Sequence, residues 1–145
     1  MPKTYRVTPS LKTLNFAVSA LVKIGTVPAY QHLLTTRGRR TGKPRTTPVS
    51  LVIDGDRRWL VAPYGGVGWV HNARAAGRVT LRRGRESKDY AIREVGPAEA
   101  APVLERYVKM APIVLPYFDA RKDSPRAAFE AEADRHPVFE LTPVT

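Results

Sequence analysis

The residues best suited to chemistry in this chain lie in one nine-residue run, Arg37-Gly38-Arg39-Arg40-Thr41-Gly42-Lys43-Pro44-Arg45. Five of the nine are cationic and none is acidic. A guanidinium offers a planar fork of donors that matches phosphate and carboxylate. Two glycines let the backbone turn tightly and come close to a ligand. The run therefore reads either as an anion-binding loop or as a solvated basic turn joining two strands. It is not a nucleotide-triphosphate loop. The spacing from Gly38 to Lys43 is one residue short of the required pattern, and Pro44 stands where a hydroxyl residue is needed. The β-branched run that follows reads as a strand, not a helix.

Groups for acid–base or nucleophilic work are sparse. The chain has no cysteine, which removes thiolate chemistry, disulfides and zinc–thiolate sites. His32, His71 and His136 are far apart and have no carboxylates at metal-ligand spacing. His32 falls on a strand and reads as structural, and His136, before Pro137, reads as a boundary residue. His71, just after Trp69, is the site candidate of the three. There is no Gly-x-Ser-x-Gly elbow, and no paired carboxylates stand out, because the acids cluster late in helices and turns. An enzyme with this inventory borrows its chemistry from a cofactor.

The elements that hold the loop follow from pattern. At 145 residues with 43% hydrophobic content, the chain reads as a single globular domain over 1–145. Residues 1–9 read as a flexible lead-in. Ser10 caps an amphipathic helix over 10–25, with Leu11, Leu14, Val18, Leu21 and Val22 on one stripe and Gly25 as the stop. That helix either packs on the domain or lies on a membrane surface through residues 11–24. Strands are expected over 30–36, 45–53, 57–62, 78–83, 86–95 and 137–141, with Asp54-Gly55 as a hairpin signal. Helices are expected over 69–76, from Pro97 to Met110, and from Ser124-Pro125 to Arg135. Five or six short antiparallel strands with helical insertions predict an α+β fold, a small β-barrel with outer helices.

The formal charge is +11 and the pI about 10.4, which suits an anionic partner. The charge is unevenly spread. Nine cations, Lys3 to Arg45, precede the first acid, Asp54. Arginine outnumbers lysine 17 to 7, a bias that GC-rich coding also produces. No apolar run reaches the length of a membrane span and no secretory pattern opens the chain. A cytoplasmic protein fits these features, with membrane association through the first helix as the alternative.

The run Leu34 to Arg45, then Pro48, the Asp-Gly hairpin, Val61-Ala62, Gly65-Gly66, Trp69-Val70-His71-Asn72 and Arg78-Val79 together resemble the deazaflavin-dependent nitroreductase family. The match covers about Gln31 to Arg83 well and the remainder more loosely. The resemblance implies a split β-barrel that binds coenzyme F-420, a deazaflavin carrying a phosphate and a polyglutamate tail. It implies phosphate contact by Arg40 and Arg45, with Arg39 and Lys43 available to the acidic tail. Pro48 would line the deazaflavin, and Trp69 and Asn72 would cover and hydrogen-bond it. Thr46, Ala62, Pro63, Tyr64, Gly65 and Gly66 complete the implied contacts. Arg40 stands where many members have lysine, Pro63 and Tyr64 replace a polar and a cationic residue, and Ser50 replaces an aromatic near the substrate. Activity on drug-like nitro compounds is therefore not carried over.

The implied reaction is hydride transfer from reduced coenzyme F-420 to a small electron-poor acceptor: a quinone, an enone or a nitro compound. Tyr64, His71, Tyr107 and Tyr117 are the candidate proton donors, with solvent as the alternative. The apolar stretch from Ile113 to Phe118 reads as a substrate wall or as ordinary packing. Two rival classes remain. One is a non-catalytic barrel carrying the cofactor or a hydrophobic ligand. The other is an FMN-dependent relative. Nucleic-acid binding ranks below both, because the cationic loop contains no aromatic for base stacking. Either a monomer or a dimer is consistent with the sequence.

Overall fold

In the computed structural model, residues 30–144 are described. The expected lead-in and the helix over 10–25 lie outside them. Six strands form a closed barrel: β1 (Gln31–Arg37), β2 (Pro44–Asp54), β3 (Arg57–Val61), β4 (Arg78–Arg83), β5 (Glu86–Glu94) and β6 (Val138–Pro143). Their order around the barrel is β1-β2-β3-β6-β5-β4, and every pairing is antiparallel. Three helices are inserted: α1 (Gly68–Ala76) between β3 and β4, and α2 (Pro97–Met110) and α3 (Arg126–Glu132) between β5 and β6. A 3-10 stretch, Pro112–Tyr117, follows α2, and a 3-10 turn, Ala133–Arg135, follows α3. The α+β barrel expected from the sequence is the fold observed. None of the described helices is long and apolar enough to cross a membrane.

Alternation along the strands builds two cores instead of one. Leu34, Leu51, Leu60, Leu81, Tyr90, Phe139 and Leu141 point into the barrel, where Val70 and Ala73 of α1 join them. The neighbours Val52, Trp59, Val61 and Val138 point outward and are buried as well. They meet α2 and α3 through Leu104, Tyr107, Val108 and Phe129. Continuous apolar runs such as Leu51-Val52 and Trp59-Leu60-Val61 are thus explained by burial on both faces of that side of the barrel. On the opposite side, β4 and β5 alternate buried residues with exposed, mostly charged ones.

The hairpin signal at Asp54-Gly55 produces a hairpin one residue further on. Asp54 pairs with Arg57, so Gly55 and Asp56 are the two turn residues. Gly55 has φ +60°, and among the described residues no non-glycine has positive φ. Glycine therefore takes the first central position, as in a type II′ turn. The β4–β5 hairpin repeats the device with Gly84, φ +59°, between Arg83 and Glu86.

Candidate functional site

The cationic run is the β1–β2 hairpin loop, and its shape is fixed from within. The Gly38 N–H donates to Lys43 O at 2.8 Å and the Gly42 N–H to Gly38 O at 2.8 Å. The Lys43 N–H reaches Thr41 Oγ1 at 3.3 Å, and Arg37 Nη1 reaches Gly42 O at 3.3 Å. Gly42 has φ +72°, a conformation that glycine adopts at no steric cost. At Gly38 the constraint is space: a Cβ would lie 2.9 Å from Thr41 Oγ1.

Helix α1 faces this loop across a cavity of about 420 Å³. Gly77, φ +72°, ends the helix by donating its N–H to Ala73 O, the left-handed cap expected of glycine. One face of α1 closes the barrel end with Val70 and Ala73. The same face sends Asn72, 6% exposed, toward the loop. Asn72 Oδ1 accepts both the backbone N–H of Arg39, at 3.1 Å, and its guanidinium Nη1, at 3.0 Å. Asn72 Nδ2 donates to Thr36 Oγ1 at 3.4 Å. Trp69, one turn earlier, is half-buried against the barrel core, its ring centroid 6.2 Å from that of Phe139.

Arg39, Arg40, Arg45, Thr46, Trp69 and Asn72, all expected cofactor residues, line the cavity together. Lys43 lies on the same loop and is exposed without lining it. Pro48 sits in β2 opposite Leu33. Ala62 and Pro63 are buried at the start of the loop from 62 to 67, whose far end meets cavity-lining Gly68. Gly65 takes φ +84°, and a Cβ there would meet Arg135 O at 3.2 Å. Gly66 O lies 3.0 Å from His71 Nε2.

The proton-donor candidates divide between two places. His71 is exposed on α1, beside Asn72. Tyr64 and Tyr117 meet edge to face with centroids 4.7 Å apart, against the outer core. Tyr107 is inside that core, 5% exposed. Burial, followed by proximity to Tyr64, pushes its phenol well above the ordinary value, so it keeps its proton throughout the physiological range. None of the three tyrosines lines the cavity.

Cationic charge is densest on the loop. Elsewhere among the described residues, Arg57, Arg74, Arg78, Arg93, Arg106, Arg126 and Arg135 each have a carboxylate within ion-pair distance, while Arg58, Arg82, Arg85 and Arg121 stand singly without one. Among the described residues no carboxylate pairs with Arg37, Arg39, Arg40, Lys43 or Arg45. The loop thus concentrates five positive charges that no carboxylate among the described residues pairs with, at the rim of a cavity with an aromatic wall. That arrangement can hold a polyanion with a flat, partly apolar body. The described residues contain no group of three or more His, Asp or Glu side chains able to hold a metal ion.

Sequence reasoning missed several features. Thr41, Thr47 and Gly68 also line the cavity, and nothing in their types distinguishes them from other turn and strand residues. The larger omission is His136. It is 3% exposed and lies 2.7 Å from Glu132, itself 2% exposed. The only sequence signal was the i, i+4 spacing of the two at the end of a helix.

A family model described as F420H(2)-dependent quinone reductase matches residues 15–124. A solved structure described as an F420-H2 dependent reductase (FDR-A) is 25% identical, covers 80% of this chain and 96% of its own, and superposes with a TM-score of 0.55. Another, described as a domain-swapped dimer, is 22% identical over 93% of this chain and 100% of its own, with a TM-score of 0.57. A FAD-binding protein from Mesorhizobium loti is 11% identical over 88% of each chain, with a TM-score of 0.51. The latter two carry the fold alone. The expected dependence on coenzyme F-420 agrees with the family match, whose description names quinone and not nitro reduction.

Proposed function

The chain belongs to the F420H(2)-dependent quinone reductase family, and from that premise we propose that it reduces a small electron-poor acceptor, a quinone first, with reduced coenzyme F-420. The observation that carries this reading is the uncompensated cationic loop at the rim of the Trp69 cavity. Its chemistry suits the phosphate and acidic tail of the cofactor. When bound, the cofactor supplies a hydride.

Each residue then has a physical task. Arg40 and Arg45, with Arg39 and Lys43, neutralise the anionic part through charge-assisted hydrogen bonds. Asn72 fixes the loop by holding Arg39 at two points. Trp69 offers the flat wall against which a ring packs. Pro48, Ala62 and the loop from Pro63 to Gly66 border the ring side. The apolar stretch Pro112–Tyr117 faces the acceptor. Reduction of a quinone to a hydroquinone takes one hydride and one proton. The proton comes from solvent, or from Tyr64, His71 or Tyr117. The buried position and raised pKa of Tyr107 suit it to a structural role.

A fluorescence titration with coenzyme F-420 tests the reading, with FMN as the control ligand and Arg45→Ala beside the wild type. Saturable binding that weakens in the variant and is absent for FMN supports it, and turnover of menadione with the reduced cofactor extends it to catalysis. No binding at low salt removes it. Binding without turnover of any quinone leaves a cofactor carrier in place of an enzyme.

A further inference from the structure

Glu132 and His136 form a buried linkage that the proposed reaction does not use. A carbonyl oxygen only accepts, so His136 Nδ1 donates to Pro63 O, at 2.8 Å. One proton lies between His136 Nε2 and Glu132 Oε1, 2.7 Å apart. Glu132 Oε1 also accepts the Asp119 N–H at 3.1 Å, and Oε2 accepts the Ala120 N–H at 2.7 Å. The Phe118 ring stacks on the imidazole, with centroids 3.7 Å apart and planes 8° apart. A continuous chain of hydrogen bonds therefore runs from the first residue of the glycine loop to the segment that follows the apolar 3-10 stretch.

Two further contacts press the same loop onto the same segment. The Ala62 N–H donates to Pro137 O at 2.8 Å, and Gly65 packs so close to Arg135 O that a Cβ would lie 3.2 Å from it. Tyr64 of the glycine loop and Tyr117, just before the 118–120 segment, contact edge to face. Tyr64 belongs to the loop whose far end meets cavity-lining Gly68. Burying an ionisable pair is costly unless every partner is in place. Here both ring nitrogens and both carboxylate oxygens are engaged, and three of their partners are backbone groups of the two segments. We infer that Glu132 and His136 are positioning residues that clasp the glycine loop to the 118–120 segment, and that the Tyr64–Tyr117 face they hold receives the acceptor. The acceptor half of this inference rests on the F-420 reading; the clasp does not.

Amide hydrogen exchange on the protein without cofactor reads the clasp alone. In the wild type, the amides of Gly65 and Val67 and those of Asp119 and Ala120 open together, with rates within about threefold of one another. His136→Gln keeps a group within reach of Glu132 and lacks the donor to Pro63. It raises exchange at Gly65 and Val67 by about tenfold and carries Asp119 and Ala120 with them, while β1 and β4 keep their protection. Unrelated rates for the two segments in the wild type overturn the clasp, whether or not the variant folds. So does a rise spread evenly over the barrel in a folded variant.

Kinetics read the acceptor half. His136→Gln raises KM for menadione about tenfold, while the Kd for coenzyme F-420, whose ring side the same loop borders, rises by no more than about threefold. Parallel changes in both constants overturn the acceptor assignment. A wild type that binds no F-420 overturns it together with the cofactor reading, and the exchange data then decide the clasp by themselves.

Discussion

Asn72 holds Arg39 twice, accepting its backbone N–H and its guanidinium on a single oxygen, Oδ1. The two residues are 33 positions apart, one on the helix that closes the barrel and the other on the hairpin loop. The contact converts an exposed basic turn into a loop of fixed position relative to Trp69. A loop positioned in advance spends less of its binding energy on ordering.

Replacing Asn72 tests that role. Asn72→Ala removes both acceptor contacts and is expected to raise the Kd for coenzyme F-420 about tenfold, the scale of hydrogen bonds to a charged group. Fluorescence titration measures it. An unchanged Kd in a folded variant would mean that the loop holds its position without the helix.

Salt and charge give a second test. Arg40→Ala and Arg45→Ala are each expected to weaken F-420 binding by about 10- to 100-fold, with a smaller dependence of the remaining affinity on ionic strength. Arg74 already pairs with Glu94 at 2.7 Å, so Arg74→Ala serves as the control and leaves the Kd unchanged. Equal losses in all three variants, measured between 50 and 300 mM salt as rough working limits, would reduce the loop to one part of a diffuse basic surface.

Gly65 and Gly68 differ sharply although both stand in the same short segment. Gly65 has φ +84° and a carbonyl in the way of any Cβ, so Gly65→Ala is expected to cost about 1–3 kcal/mol. Gly68 opens α1 with nothing near its Cβ position, so Gly68→Ala is expected to be neutral or stabilising by less than about 1 kcal/mol. Urea unfolding of both variants measures the contrast. Similar midpoints would show that the loop relaxes around residue 65.

His32 sets an acid limit on stability. Burial lowers its pKa from the ordinary 6.5, the Tyr30 carbonyl opposes that, and Arg83 and Arg58 reinforce it. The folded state therefore binds this proton more weakly than the unfolded chain. The contribution is whole above 6.5 and is lost as the pH falls below that value and through the lowered folded value. Asp89, held down by Thr80, and Glu140, held down by Arg57 and Arg93, act in the same direction at lower pH, below 3.8 and 4.5. Urea midpoints at about pH 7.5 and 5.0 isolate the histidine. His32→Gln is expected to flatten the difference between them, and an unaltered difference would assign it to other groups.

The strands, turns and cationic loop were legible in the sequence because each depends on neighbours in the chain. The apolar runs Leu51-Val52 and Trp59-Leu60-Val61, the glycines at 55 and 84, and the acid-free run up to Arg45 are all local signals. They determined an antiparallel barrel with helical insertions and a cationic, acid-free loop. The sequence could not say which of two buried faces each apolar residue serves. That depends on α2 and α3 folding over β2, β3 and β6, which is a matter of long-range packing.

The tertiary structure alone set the geometry of the candidate site. It brought Arg39 to Asn72 across 33 residues, left five loop cations without a carboxylate among the described residues, and buried Tyr107 in the outer core. It also turned His136, which reads as a boundary residue before a proline, into the centre of a buried network with Glu132 and Pro63. Residue type announces what a side chain can bond. Which partner it meets, and whether water is excluded from the meeting, is settled only when distant segments pack together.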